Sequence, residues 1–416
     1  MNKNSILTAK QFSAVNMETG KTIWFSRTHS PQHLYPLMEK DYCEAIKYAI
    51  QHGIDQMPIL SVSSKDFPYC DFDCKDCLAC PSRKWAVADQ HIKYPIIPID
   101  KYKNILDEIS SYSSRRGFNT VRFEICGEGN PDLYKDRISM IEHANQKCNM
   151  GIVYVSTGSK ISDKLLDCLV ENASFIRISF PGISADAYKT YSNQKSKNND
   201  FSYDDAIHLL DKLCNARARI GREDSLLIGT RTCIRSLNAG HYDDFIKTIV
   251  NVGVDVFQGV KVLVPDFERV KDEIVSLDVI EELVALKETA YSYGLKDYQI
   301  PNDLNTIYNN RAMVEREKPS RCWSSLISPP LYGTNLMCCV LWDRITDLNY
   351  HYGILEGRKG ELEELMHGER AKFIMKNCPK NCTECCSFKD NSFMESLWRV
   401  LKLQENLDAV KFITNY

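Results

Sequence analysis

The sequence has no long apolar run and almost no excess of charge of either sign. No hydrophobic stretch approaches the ~18 residues that a membrane-spanning helix needs. The start, MNKNSILTAKQFSAV, lacks the apolar core of a secretory signal. A formal net charge of −3 gives no electrostatic reason for general binding to nucleic acid or membranes. We therefore expect a cytoplasmic protein with neither kind of partner.

Cysteine, by contrast, is abundant. Seventeen cysteines are present, and four of them lie within PYCDFDCKDCLACPS (68–82). Disulfide scaffolds are small secreted domains, whereas this chain has 416 residues and no export signal. Clustered reduced thiols then favour metal or iron–sulfur ligands. Six scattered cysteines are expected to be ordinary buried residues: Cys43, Cys126, Cys148, Cys168, Cys214 and Cys233.

The middle of the chain alternates β-rich runs with amphipathic stretches, which predicts an α/β fold. The six predicted strands are 57–63, 119–125, 151–156, 175–180, 225–233 and 254–264. The predicted helices, whose apolar residues recur at helical spacing, are 102–117, 133–147, 162–172, 203–216 and 242–253. Strands that are each followed by a helix indicate a parallel sheet, either open and doubly wound or closed towards a barrel. In both, active sites form where the strands end.

Changes in pattern divide the chain into three predicted regions. Residues 1–56 form an N-terminal extension that is sparse in strand pattern and holds one predicted helix, 41–53. Residues 57–300 carry the alternation of strands and helices. After residue 300 the alternation stops and cysteines return, which predicts a second domain over 301–416.

The first cysteine cluster directly follows the first predicted strand. Cys70, Cys74 and Cys77 make a C-x3-C-x2-C pattern, and thiolates at this spacing can converge on one soft metal centre. Three ligands on a four-iron cluster leave one iron open to a small molecule. Cys80 is followed by Pro81, so the run also fits part of a ferredoxin-type cluster or a structural zinc site.

This spacing resembles the signature of the radical S-adenosylmethionine superfamily. The resemblance implies a partial (βα)6 TIM-like barrel in which the three cysteines hold a [4Fe–4S] cluster. The open iron would chelate S-adenosylmethionine, whose reductive cleavage yields a 5′-deoxyadenosyl radical. A reductase such as flavodoxin or ferredoxin would supply the electron. Asp76 stands where the family usually has an aromatic residue.

Later loops, over about residues 57–300, resemble the cofactor contacts of the same superfamily. ICGEGNPDLY (125–134) resembles the Gly-Gly-Glu-Pro motif, YVSTGSKIS (154–162) the Thr-Asn-Gly loop, and IRISF (176–180) the Ile-Arg-Ile-Ser strand. The structural alternatives are a turn, a helix N-cap near Ser162 and a polar residue in a buried strand. The cofactor-binding residues that the resemblance implies are Gly127, Glu128, Gly129, Asn130, Pro131, Ser156, Thr157 and Ser179.

The second cysteine cluster resembles the C-terminal SPASM and twitch domains of the superfamily. RCWSSLISPPLYGTNLMCC (321–339) contains C-x10-G-x4-C, and CPKNCTECC (378–386) follows a predicted helix at 361–377. A twitch domain would hold one auxiliary [4Fe–4S] cluster through Cys322, Cys338, Cys382 and Cys385. A second auxiliary cluster or a zinc site remains open, because three cysteines are left over: Cys339, Cys378 and Cys386.

Three functions remain open at this stage. The twitch-like layout favours an oxidoreductase that abstracts hydrogen from a sugar, an aminocyclitol or a similar small hydroxylated molecule. The alternative is a peptide-modifying maturase or epimerase, for which Cys126 or Cys233 could donate hydrogen; the short N-terminal extension argues mildly against it. The third is a non-catalytic protein stapled by zinc or a cluster. The candidates for lining a substrate pocket are Arg231, Arg235, Lys261, Asp343 and Arg344.

Overall fold

A computed structural model of the protein describes most of the alternating region and parts of both ends. The described residues are 12–16, 22–25, 39–64, 70–72, 74, 97–119, 121–126, 129–192, 201–261, 277–300, 326, 329–332, 335–337, 351–374, 398–399, 401–403 and 410–414.

The described strands form two sheets. They are β1 (Phe12–Asn16), β2 (Thr22–Phe25), β3 (Ser61–Ser64), β4 (Arg122–Ile125), β5 (Gly151–Ser156), β6 (Ala173–Phe180), β7 (Leu227–Ile234), β8 (Val256–Lys261), β9 (Asp297–Gln299), β10 (Pro330–Tyr332), β11 (Asn335–Met337), β12 (His351–Ile354) and β13 (Val410–Thr414). The small sheet has the order β13-β1-β2, and the main sheet has the order β12-β11-β10-β3-β4-β5-β6-β7-β8-β9.

Helices fill most of the connections between the parallel strands. They are α1 (Glu39–His52), α2 (Ile99–Ser114), α3 (Arg137–Glu142), α4 (Asp163–Asn172), α5 (Ala185–Ser192), α6 (Tyr203–Arg219), α7 (Tyr242–Asn251), α8 (Leu277–Tyr293) and α9 (Glu361–His367). Among the helices described, none has both the length and the apolarity that a membrane crossing requires.

The predicted α/β fold is confirmed. Each strand from β3 to β8 pairs in parallel with the next one along the chain, so that β3 to β9 form one parallel series. The described strands do not close into a ring, because β9 and β12 lie at opposite edges of the sheet. The sheet therefore fits a partial TIM-like barrel. A seventh parallel strand, β9, was not predicted, since its three residues, DYQ, are too few to show an alternation.

Strand β6 has an apolar face and a second face that carries polar side chains. On β6, Ile176, Ile178 and Phe180 are at most 2% exposed and belong to the hydrophobic core. Successive side chains point to opposite faces of a strand, so Arg177 and Ser179 share the other face. This second face, which we call the inner face, carries polar groups that a hydrophobic core would not hold.

Buried ion pairs lie at the amino ends of the strands. Asp255, directly before β8, is 3% exposed and pairs with Arg217 of α6 and with Lys296, the latter at 2.9 Å. The same carboxylate accepts a hydrogen bond from the backbone N–H of Ile228 on β7. Two neighbouring strands and a helix are thereby fixed at one point.

The C-terminal helix α9 docks on α2. Glu108 of α2 is buried and accepts hydrogen bonds from the backbone N–H groups of Gly360 and Leu362, at the start of α9. A carboxylate at a helix N-terminus is favourable because it meets unpaired N–H groups. Gly357 has φ +82, and a Cβ there would lie 2.7 Å from atoms of Asn104, so only glycine permits this approach.

Both ends of the chain contact the predicted core. Strand β1 pairs with β13, so the first described residues and the last ones share a sheet. Strand β10 pairs in parallel with β3, and β10, β11 and β12 extend the main sheet. Two short strands thus lie in the extension that the sequence analysis considered sparse in strands. The boundaries at residues 56 and 300 remain predictions, and described contacts cross both.

Candidate functional site

Three loops meet at the carboxyl ends of β3, β4 and β5. They carry residues 70–72 after β3, residues 129–132 after β4, and residues 156–159 at the end of β5. The strands are parallel and adjacent, so these loops must emerge at the same edge of the sheet. Side chains far apart in the sequence become neighbours here.

Asn130 is the centre of a hydrogen-bond network between the loops. Its Nδ2 donates to Oδ1 of Asp71 at 3.0 Å and to Oγ of Ser159 at 2.9 Å. Its Oδ1 accepts from the backbone N–H of Asp132 at 3.1 Å, and Oγ of Ser156, whose single hydrogen is donated to Asp132, lies 3.3 Å away. Both donor hydrogens of the amide are used within the protein, and the residue is 1% exposed. Asn130 therefore positions the loops.

A carboxylate, Asp132, lies beneath this network. Oγ of Ser156 and Oη of Tyr154 both donate to it at 2.7 Å. Burial raises the pKa of Asp132 above its ordinary value, and these hydrogen bonds offset the rise only in part. Burial and the neighbouring Asp132 also raise the pKa of Tyr154, which keeps that phenol protonated as a donor.

The first two cysteines of the predicted cluster adjoin the network. Cys70 and Cys74 are half-buried and pack against the core, and Phe72 between them is fully buried. Asp71, next to Cys70, accepts hydrogen bonds from Asn130 and from Oγ of Ser159. The start of the cysteine loop is thus attached to the loops after β4 and β5.

A tyrosine from α5 also reaches this region. Tyr188 is 1% exposed, and within the described residues its hydroxyl has no hydrogen-bond partner. Burial raises the pKa of Tyr188, and the nearby Cys74 and Asp71 raise it further. A buried phenol without a partner costs free energy, about 1–3 kcal/mol. We therefore expect this hydroxyl to meet a hydrogen-bond acceptor beside the cysteine loop.

The inner face of the sheet continues the site across β6 to β9. Nη1 of Arg177 donates to Oε1 of Gln258 at 2.9 Å, and Nε2 of Gln258 donates to Oε1 of Gln299 at 2.8 Å. Arg177 and Gln258 are each 5% exposed. Ser179 is in register with Arg231, which is in register with Gln258. A positively charged, amide-rich surface therefore lies next to the three loops.

The structure brings several predicted site residues together. Cys70, Cys74, Gly129, Asn130, Pro131, Ser156, Thr157 and Ser179 all lie at the carboxyl ends of β3 to β6. Ser156 is in register with Ile178, so its side chain turns away from the inner face and bonds Asp132 and the N–H of Gly158. Ser162 is the N-cap of α4, as the structural alternative predicted.

Other predicted residues fall outside the described part of the chain. For the first cluster and its loop these are Cys77, Cys80, Gly127 and Glu128. For the second cluster they are Cys322, Cys338, Cys339, Cys378, Cys382, Cys385 and Cys386, and for the pocket they are Asp343, Arg344 and the side chain of Lys261. Among the described candidates, Arg235 lies over the ring of Tyr191, 3.8 Å from its centroid, and is 2% exposed.

The sequence analysis did not select Asp71, Asp132, Ser159, Tyr188 or the Arg177–Gln258–Gln299 row. A signal was available for some of them. Asp71 adjoins a predicted ligand, Asp132 and Ser159 lie within the quoted motifs, and Arg177 precedes Ser179 by the two residues that place both on one face. Tyr188 and Gln299 carry no local signal, because only the packing of α5 and β9 brings them here.

Comparisons with known proteins agree with this fold. No protein-family model and no curated protein sequence matches the chain. Solved structures do: Streptococcus suis SuiB bound to S-adenosylmethionine has a TM-score of 0.57 at 11% identity, covering 94% of this chain and 93% of that one. SuiB bound to precursor peptide SuiA has a TM-score of 0.54 at 12% identity, covering 78% and 69%. Native anSMEcpe with bound AdoMet and Cp18Cys peptide has a TM-score of 0.53 at 14% identity, covering 80% and 88%.

These likenesses concern the fold. Two proteins with the same arrangement of strands and helices were solved with S-adenosylmethionine, as their titles state. The partial-barrel fold that the sequence resemblance implied is therefore confirmed over most of the chain.

Proposed function

We propose that this protein is a radical S-adenosylmethionine enzyme. Cys70, Cys74 and Cys77 would hold a [4Fe–4S] cluster, with S-adenosylmethionine beside it at the carboxyl ends of the strands. The observation that carries the proposal is the network in which Asn130 joins Asp71 of the cysteine loop to Ser159 and Ser156. It connects three loops that the sequence motifs relate separately to the same cofactor.

The described residues fit such a group. Cys70 and Cys74 are half-buried, so their thiols are sheltered yet not sealed in the core. The hydroxyl of Tyr188 has no hydrogen-bond partner among the described residues and could donate to a sulfur or carboxylate acceptor. Bound together, the cluster and S-adenosylmethionine supply a carbon-centred radical that abstracts a hydrogen atom from the substrate.

The chain's own residues position these components. Asn130 is buried and donates both of its amide hydrogens to protein groups, so it holds the loops in place. The amino group of S-adenosylmethionine would be bound by Glu128 or by backbone carbonyls of residues 127–129. Ser156 acts in the same indirect way through Asp132. Ser179, on the inner face, is the described candidate for direct contact with the cofactor.

The substrate that we propose is a peptide. Two of the similar structures contain peptides, SuiA in one and Cp18Cys in the other. The row Arg177–Gln258–Gln299 on the inner face is held by its own hydrogen bonds, so it would form a fixed polar wall beside the substrate. Oxidation of a sugar or aminocyclitol, which the sequence layout first favoured, has no comparable support.

An auxiliary cluster held by Cys322, Cys338, Cys382 and Cys385 is part of the proposal. Strands β10 and β11, which lie between Cys322 and Cys338 in the sequence, form an antiparallel hairpin. The hairpin joins the main sheet beside β3, the strand that leads to Cys70. An auxiliary cluster near this edge could accept an electron from the substrate or staple the fold.

The test of the cofactor assignment is anaerobic reconstitution of the full chain. We expect about eight iron ions per chain for two [4Fe–4S] clusters, and 5′-deoxyadenosine when reduced protein meets S-adenosylmethionine. Cys74→Ala should lose about half of the iron and all of this product. Cys168→Ser, which changes a buried cysteine of α4, should keep both. A colourless zinc protein, or a Cys74→Ala variant that still forms 5′-deoxyadenosine, would refute the assignment.

The substrate class has a separate test. Peptides encoded next to the gene and a panel of sugars and aminocyclitols should be incubated with reduced protein and S-adenosylmethionine. We expect a peptide to stimulate 5′-deoxyadenosine formation and to change in mass. Stimulation by a sugar or aminocyclitol alone would restore the first interpretation.

A further inference from the structure

A second group of ligand-type side chains lies on the outer helical layer, away from the candidate site. It consists of Asp107 on α2, His143 at the end of α3, and Cys148 just before β5. Within the described residues, one potential ligand atom from each lies within 4.8 Å of the others. The group precedes β5, so it belongs to the amino ends of the strands, whereas the candidate site lies at the carboxyl ends.

We propose that Asp107, His143 and Cys148 form a zinc site. Oδ1 of Asp107 accepts from Nε2 of His143 at 2.8 Å and from the Cys148 thiol at 3.2 Å. Tetrahedral zinc would separate such ligand atoms by about 3.3–3.6 Å, given its bond lengths to N, O and S. The two distances to Asp107 are a few tenths of an ångström shorter than this, and its half-exposed carboxylate can move outward. The third pair, Nε2 of His143 and Sγ of Cys148, lies within 4.8 Å.

The backbone departs from an α-helix at the residues that supply two of the ligands. After α3 the chain makes one turn of π-helix, His143–Lys147, and the N–H of Cys148 bonds to the carbonyl of His143 at 3.2 Å. In an α-helix, residues five apart point in different directions, whereas a π-turn brings them to one side. Turns of this kind occur frequently at functional sites.

Neighbouring residues hold the geometry from both sides. Oγ of Ser110, one turn after Asp107 on α2, donates to the carbonyl of Cys148 at 2.9 Å. Asn149 has φ +52, the only positive φ at a residue other than glycine in the described chain, and its side chain bonds the carbonyl of Asn119. These contacts place Cys148, which is 3% exposed, beneath the half-buried His143.

The donor set selects the metal. A thiolate and an imidazole favour zinc over magnesium or calcium, which prefer oxygen ligands. Three protein ligands with Asp107 on the exposed side leave a fourth position for water. Binding would release the thiol proton of Cys148, leave the imidazole of His143 with its proton on Nδ1, and tie α2 to the turn before β5. A zinc ion there would stabilise the outer layer.

The first test needs no variant. Crystals of the reconstituted full chain, soaked with zinc chloride, should be measured above and below the zinc absorption edge, where iron contributes little difference. We expect an anomalous peak between Sγ of Cys148, Nε2 of His143 and a carboxylate oxygen of Asp107. Zinc peaks only elsewhere would overturn the proposal.

The second test counts zinc in solution. After equilibrium dialysis against zinc, His143→Gln and Asp107→Asn should each bind about one ion fewer than the wild type, with unchanged iron content. The matched control is His208→Gln, which changes an exposed histidine of α6. Zinc should also raise the unfolding temperature of the wild type and the control, and not that of the two variants. Equal zinc content in all four proteins would refute the zinc site and would show that the three side chains form only a hydrogen-bonded cluster.

Discussion

Two aspartates at opposite ends of the sheet, one buried and one half-buried, show how differently the same side chain can be held. At the amino ends, Asp255 has charged partners, Arg217 and Lys296. At the carboxyl ends, Asp132 is held by neutral donors, the hydroxyls of Ser156 and Tyr154. The first arrangement compensates charge and fixes structure, whereas the second leaves a carboxyl group with a raised pKa next to the predicted cofactor loops. The amino end of the sheet thus has compensated charges, whereas the carboxyl end carries the loops of the proposed cofactor site.

The largest effect on stability should follow from removing the charge at the amino end. Asp255→Asn leaves the buried guanidinium of Arg217 without its carboxylate, which should lower the free energy of unfolding by about 3–5 kcal/mol. Urea unfolding followed by circular dichroism measures this. Lys296→Gln is the matched control, because Lys296 is half-exposed and its pair should contribute less than about 1 kcal/mol. Similar losses in the two variants would contradict the assignment of Arg217 as the decisive partner.

A smaller effect is expected at a second ion pair of the amino end. Glu363 of α9 pairs at 2.6 Å with Arg116, which is 5% exposed. Burial would raise the pKa of Glu363, but the hydrogen bond and charge of Arg116 outweigh it and lower that pKa. Glu363→Gln should lower the free energy of unfolding by about 1–3 kcal/mol at neutral pH. The value should lie towards the lower end of this range, because solvent screens the half-exposed carboxylate.

The pH dependence of this variant gives a further check. A lowered pKa in the folded state means that the stabilisation is present above about pH 4.3 and is lost as the pH falls through the folded value. The difference between the wild type and Glu363→Gln should therefore shrink in acid. Glu369→Gln, which removes an exposed pair with Lys372, should change nothing measurable. A difference that persists in acid would show that packing, and not charge, explains the loss.

The smallest effect, and the opposite sign, is expected at the carboxyl end. Because the folded state raises the pKa of Asp132, its ionised form costs stability above that pKa. Asp132→Asn removes this cost and keeps an acceptor for Ser156 and Tyr154. The variant should be as stable as the wild type or more stable at neutral pH, within about 1 kcal/mol.

Acid should remove the advantage of Asp132→Asn, since below about pH 3.9 the aspartate is protonated in both states. Thermal unfolding across this pH range measures it. If Asp132→Asn destabilised the protein as much as Asp255→Asn does, both aspartates would be required for stability, and the contrast between the two ends of the sheet would be wrong.

Much of the fold could be predicted because its signals are local. The apolar runs that become β5 and β6, and the helical periodicity of α6 and α7, each lie within one short window of sequence. Strand β9 and the pairing of β1 with β13 were beyond such reasoning. Three residues carry no periodicity, and strands separated by almost the whole chain meet only when everything between them has folded.

The sequence by itself determined the α/β alternation and the loops in which the chemistry is expected, since cysteine spacing and turn residues are properties of neighbours along the chain. Only the tertiary structure decided that Asn130 donates hydrogen bonds to Asp71 and Ser159, that the hydroxyl of Tyr188 is buried, and that Cys148 meets Asp107 and His143. The physical reason is register. Which distant side chains face each other depends on how strands and helices align, and a single residue of slip would turn each of them to another face.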